Sequence, residues 1–131
     1  MSAIFRRGTL LMLSGPVEHL HVVMNDPIFS GEHGKNSVLV VNVTSVKQGV
    51  YFDPTCVLTP GCHPFVNRES YVVYKHAVVL GVDRLVEGCA AGEVRPHQAA
   101  SPDLFTTIRD GFDQSKHVHP KIARFIRVNG L

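Results

Sequence analysis

The sequence predicts a mainly β fold, a small SH3-like curved sheet or barrel, followed by two short α-helices. Three observations carry that prediction. Val-rich apolar runs of strand length recur as far as about residue 80. Gly, Pro, Asn and Ser clusters separate them. Beyond residue 100 the apolar period lengthens from that of a strand to that of a helix.

Strands are expected over 9–13, 19–24, 37–43, 55–59 and 71–80. Their separators are Ser14-Gly15-Pro16, Asn25-Asp26-Pro27 with Ser30-Gly31, Lys47-Gln48-Gly49 and Thr59-Pro60-Gly61. Alternation is weak over 20–24. The continuous run Val38-Leu39-Val40-Val41 reads as a central strand buried on both faces. Residues 83–87 read as a single helical turn closed by Gly88, 90–94 as a last strand and 95–101 as a linker. Ser101-Pro102-Asp103 then opens a helix over 102–114, with Ser as N-cap, Pro in the first turn and an acid beside it. Leu104, Phe105, Ile108 and Phe112 share one face of it. A second helix is expected over 119–128, burying Ile122, Phe125 and Ile126. The expected core includes Leu39, Val41, Val57, Val72, Val78, Ile108 and Phe112.

The 131 residues suit one domain, 1–131, with a β-barrel over 8–95 and a helical appendage over 96–131. With 44% hydrophobic and 18% charged residues the chain is globular in composition. A net charge of +2 gives no strong footprint for duplex nucleic acid, although a small RNA site needs only a few cations. Arg6-Arg7 interrupts the apolar character of the first residues, and no run approaches membrane-spanning length. Three cysteines, an odd number, fit a reducing compartment, so the expected location is cytoplasmic.

The densest chemistry lies in the 53–74 segment. His63, Asn67, Arg68, Ser70, Tyr71 and Tyr74 fall within it, while Pro60, Gly61 and Pro64 keep it from forming a helix. An imidazole, a guanidinium and hydroxyls on a constrained loop suit an anion such as phosphate; an ordinary polar turn is the competing reading. His19 and His21 flank Leu20 and are expected to leave the core when Leu20 enters it. Thr44 and Ser45 end the central strand, where side chains emerge from a fixed backbone. His117 and His119 suit capping or loop roles. Cys56, Cys62 and His63, with His19 and His21, offer zinc-ligand chemistry but not a paired Cys-x-x-Cys spacing. Cys62 and His63 are adjacent and point apart, which disfavours a thiol–imidazole pair. No nucleotide-binding or nucleophile-elbow motif is present, so neither a metal nor a cofactor is expected.

Gly8-Thr9-Leu10-Leu11, then His19-Leu20-His21-Val22-Val23, then the 38–45 run ending Val43-Thr44-Ser45, resembles the MazF/PemK toxins in order and spacing. The 70–79 run followed by Val82-Asp83-Arg84-Leu85 resembles a later segment of that family, so the likeness covers about residues 8–90. It implies an SH3-like barrel acting as a metal-independent endoribonuclease on single-stranded RNA, usually dimeric, and held inactive by an antitoxin protein. Thr44 matches the family's strand-ending Thr. The family's Arg has no counterpart; His19 and His21 stand in its neighbourhood. Metal-free RNA cleavage needs a base, an acid and donors to the phosphorane oxygens. His21 and His63 are the candidates for base and acid. Thr44, Ser45 and Arg68 are candidate donors, His19, Asn67 and Ser70 further substrate contacts, and Tyr71 or Phe65 a stacking surface. A non-catalytic protein- or RNA-binding module on the same barrel is the alternative, followed by a zinc- or cysteine-dependent enzyme.

Overall fold

In the computed structural model, which describes residues 4–131, the chain forms a curled antiparallel sheet in a half-barrel with three short helices. The strands are β1 (Thr9–Ser14), β2 (Val17–Val23), β3 (Ile28–Ser30), β4 (Lys35–Ser45), β5 (Val57–Leu58), β6 (Ser70–Gly81) and β7 (Arg95–His97). Their order is β5-β6-β4-β2-β1-β7, with β3 added on the start of β4. The helices are α1 (Val82–Ala91), α2 (Pro102–Gln114) and α3 (Pro120–Val128).

Alternation along the strands divides the core in two. Leu11, Leu20, Val22, Val41, Val43, Val72 and Tyr74 point to one face, where Phe105, Ile108 and Phe112 of α2 and Ile122 and Phe125 of α3 cover them. Leu10, Val23, Val38 and Val40 point to the other, where Leu85 of α1 packs with Val94 and Ile4. With both faces covered, 38–41 is an unbroken buried run, each residue at most 1% exposed. The α2 and α3 boundaries are those expected. Ser101 caps α2 by accepting from the Leu104 N–H at 3.1 Å, and His119 caps α3 by accepting from the Lys121 N–H.

Several expectations are corrected. Residues 83–87 are part of a full ten-residue helix, so the described residues form three helices. Gly88 does not end α1. It lies buried inside it, because a Cβ there would stand 2.7 Å from Val94 Cγ2; the bare backbone lets the helix lie against Val94. Gly92, at φ 77°, is the actual C-cap. Residues 90–94 therefore form no strand. The supposed linker supplies β7 instead, where Pro96 is tolerated because the strand sits at the edge and pairs only with β1. The short β3 is an addition, and the 55–59 strand contracts to two residues. Val57, on that stub, is 40% exposed, and Val78, beside the register break between Val40 and Asn42, is 41% exposed; neither belongs to the core.

One contact seats α2 on the sheet. The fully buried Tyr74 of β6 donates its hydroxyl to the Ile108 carbonyl at 2.7 Å and stacks edge-on against Phe112. This requires Gly111, since a Cβ there would lie 1.8 Å from the Tyr74 hydroxyl. Gly111→Ala is expected to cost at least about 2 kcal/mol, from overpacking and loss of the buried hydrogen bond. In a urea-melt double-mutant cycle, Tyr74→Phe should reduce the cost of Gly111→Ala, because it removes the clashing oxygen. Additive effects would show that the two positions do not meet.

Candidate functional site

A cleft of about 840 Å³ between α1 and the start of β4, lined by Lys35, Asp83, Arg84 and Glu87, contains none of the polar residues that the sequence marks as site candidates. Most of those gather at one end of the sheet, where β2 begins and β4 ends. A groove of about 710 Å³ opens there, between those strand ends and the 64–70 segment. His19, Thr44, Ser45, Asn67, Arg68 and Ser70 all line it, together with Lys47 and Phe65. The β2–β4 register sets the central pair. One step beyond Leu20–Val43, His19 stands opposite Thr44, with Nε2 3.1 Å from Oγ1. That contact holds one proton, whose side depends on the imidazole tautomer. His19 Nδ1 is buried and has no hydrogen-bond partner among the described residues.

Around this pair the roles differ. Ser70 is buried and donates to the Arg68 carbonyl at 2.9 Å, so its hydroxyl shapes the turn rather than offering itself to a ligand. The Asn67 and Arg68 side chains are exposed. Glu18 lies on the rim, held by Arg95, whose Nε donates to it at 3.1 Å. The hydrogen bond from Arg95 keeps the Glu18 carboxyl below its usual range.

His21 and His63 do not join this groove. His21 pairs with Leu10 across β1–β2, on the face covered by α1, and is 8% exposed. The expectation that it would leave the core fails because the opposite face is a core too. Its Nδ1 contacts the His19 carbonyl at 3.0 Å. His63 is 2% exposed. Its Nε2 donates to the Gln98 carbonyl at 2.6 Å, and its Nδ1 accepts from the Phe65 N–H at 3.0 Å. Thr9 donates to the same Gln98 oxygen from the face opposite Leu10, so His21 and His63 lie on opposite sides of the sheet. A two-histidine relay cannot form within one chain. His63 instead ties the wall of the groove at Phe65 to the strand preceding α2.

The zinc set is likewise dispersed: among the described residues no three His, Cys, Asp or Glu side chains gather to hold a metal ion. Both His63 nitrogens are already engaged by backbone. Burial pushes the Cys56 and Cys62 thiols up, the reverse of what an activated nucleophile needs.

Tyr71 lies beyond the groove, its ring 5.0 Å from that of Phe52. Sequence reasoning missed this aromatic neighbourhood. Asp53 anchors it by accepting from Thr55 N–H at 3.0 Å, Thr55 Oγ1 at 2.5 Å and Ser115 Oγ at 2.6 Å. Burial raises the Asp53 carboxyl, but the hydrogen bonds from Ser115 and Thr55 outweigh it and leave the pKa lowered. The Asp-Pro-Thr spacing is the one signal that marks such a turn in advance.

No protein-family model matches the sequence, and no curated protein matches it. The MazF/PemK resemblance therefore rests on the motifs alone. No helix among the described residues is long and apolar enough to cross a membrane.

Burial lowers the pKa of both His21 and His63 below the ordinary histidine value of 6.5. The folded state thus binds fewer protons than the unfolded chain. The stability this represents is whole above about pH 6.5 and is lost as pH falls toward the folded values. Glu18 and Asp53, both lowered carboxyls, titrate in a more acidic range. Urea midpoints should fall between about pH 7.5 and 5. A midpoint unchanged across that interval would mean that both imidazoles protonate freely in the folded protein.

Proposed function

We propose that the chain binds single-stranded RNA in the groove at the end of the sheet and cleaves it without metal, in the manner of a MazF/PemK-like toxin. The observation that carries the reading is the His19–Thr44 pair, 3.1 Å apart in a groove that also presents Arg68, Lys47 and Phe65. Arg68 and Lys47 supply the positive charge a phosphodiester requires. The Thr44 and Ser45 hydroxyls are donors for its non-bridging oxygens, and the Phe65 ring is a surface for a splayed base. His19 takes the 2′-hydroxyl proton on Nε2, the nitrogen that meets Thr44 in the groove, once the Thr44 hydroxyl has turned from it to the phosphate.

One imidazole in the groove, not two, changes the expected mechanism. The leaving 5′-oxygen takes its proton from solvent, because His19 is the one imidazole lining the groove. The reading includes the partners the resemblance implies: an antitoxin protein and a second copy of the chain, in a cytoplasmic setting. The same single imidazole favours a second reading, a groove that binds RNA and does not cut it.

His19→Ala should lower cleavage of a labelled single strand by about 10²- to 10⁴-fold while RNA binding changes little, and chelator should have no effect. Cleavage at the wild-type rate in that variant overturns the assignment. Binding with no cleavage by the wild type selects the second reading. Arg68→Ala should weaken binding and flatten the salt dependence of log K by about 0.7, the value for one phosphate contact on a single strand. An unchanged salt slope would place Arg68 off the RNA path.

A further inference from the structure

The groove does not end at Lys47. A second hollow of about 170 Å³ shares Thr44, Ser45 and Lys47 with it and runs on to Tyr51, Phe52 and Tyr71. A third, of about 80 Å³, shares those three aromatics and ends at Lys75 and His117. The three form one continuous track along the end of the sheet and the 46–55 loop.

Lys47 and Lys75 flank a group of three aromatic side chains along it, Tyr51, Phe52 and Tyr71. Tyr51 is 76% exposed, yet its orientation is fixed: its hydroxyl lies 3.2 Å from His117 Nε2, and the two rings meet edge-to-face at 6.2 Å. An exposed aromatic ring already held in place loses little freedom when a flat ligand stacks on it. Lys47 and Lys75 are exposed, and neither forms an ion pair among the described residues. The single carboxylate along this extension, Asp53, has its oxygens occupied by Thr55 and Ser115. A track of free cations and oriented rings, with the oxygens of its one acid held by Thr55 and Ser115, matches the stacking-platform and charged-groove design of single-strand binding.

We infer that Tyr51, braced by His117, forms a second nucleotide subsite on which a base flanking the bound phosphodiester stacks, while Lys47 holds the intervening backbone and Lys75 the backbone beyond it. This rests on the RNA-binding reading of the groove and adds to it a position on the 46–55 loop, braced from the α2–α3 connection.

Fluorescence anisotropy on the whole protein tests it, using labelled 2′-O-methyl oligouridylates of about three and about ten nucleotides, which bracket the short groove and the full track. The methyl group blocks the 2′-oxygen nucleophile, so binding is read without cutting. The longer strand should bind more tightly than the shorter. Tyr51→Ala should remove about 5- to 100-fold of affinity for the longer strand and leave the shorter unaffected. Tyr51→Phe should retain most of the gain, since it keeps the ring. A long strand made abasic beyond its first three positions should lose the Tyr51-dependent part while retaining its charge. Equal affinities for both lengths, or a Tyr51→Ala loss that persists with the abasic strand, would overturn the subsite while leaving the groove intact. Failure of both lengths to bind the wild type would overturn the groove reading and the subsite together. Tyr51 is exposed, and an unchanged melting curve for Tyr51→Ala confirms that affinity alone is being read.

Discussion

The hydrogen bond from Tyr74 to the Ile108 carbonyl is the constraint from which the rest of the architecture follows. Tyr74 is the largest fully buried side chain, and its hydroxyl needs a partner where no water reaches. Gly111 gives it room, one turn further along α2. With α2 fixed on the sheet, its C-terminal Ser115 is fixed too, and Ser115 donates to Asp53. Asp53 in turn orders Thr55 and sets the 46–55 loop. The core thus determines, through four named side chains, where Tyr51 and Lys47 stand relative to the end of β4.

Covering the sheet on both faces decides which histidines are available for chemistry. An imidazole on either face enters an apolar layer and becomes a structural group, as His21 and His63 both do. His63 illustrates the distinction well. A loop histidine beside Arg68 has the sequence profile of a catalytic group, yet its two nitrogens serve Gln98 and Phe65 backbone and brace the groove from behind. His19 differs because it lies where β2 starts, past the limit of the α1 cover, and meets Thr44 at the groove. Position along the strand, not residue type, separates the two kinds.

Much of this was legible in the chain, and the limits have physical causes. Local signals sufficed for α2, where Ser101, Pro102 and the Leu104-Phe105-Ile108-Phe112 stripe agree, and for the buried 38–41 strand. They failed where tertiary contact overrides a local rule. Gly88 reads as a helix end until Val94 is seen pressing on it, and Pro96 reads as a linker until β7 is seen at an edge. Val57 and Val78 have core composition but sit at an edge stub and a register break. The site was partly legible: Thr44, Ser45, Asn67, Arg68 and Ser70 do gather with His19. Choosing His19 over His21 needed the β2–β4 register, which spacing does not contain. The Tyr51–His117 brace spans the length between the barrel and the α2–α3 connection, beyond the reach of any local pattern.

The central claim is that single-stranded RNA lies at the β2–β4 end of the sheet, and amide chemical-shift mapping addresses it most directly. The isotopically labelled protein would be titrated with a 2′-O-methyl single strand. Perturbations should concentrate at His19, Thr44, Ser45, Lys47 and Arg68, with the cleft between α1 and β4, at Lys35 and Glu87, unmoved. Shifts centred on the α1 cleft, or no saturable shifts at all, would contradict it.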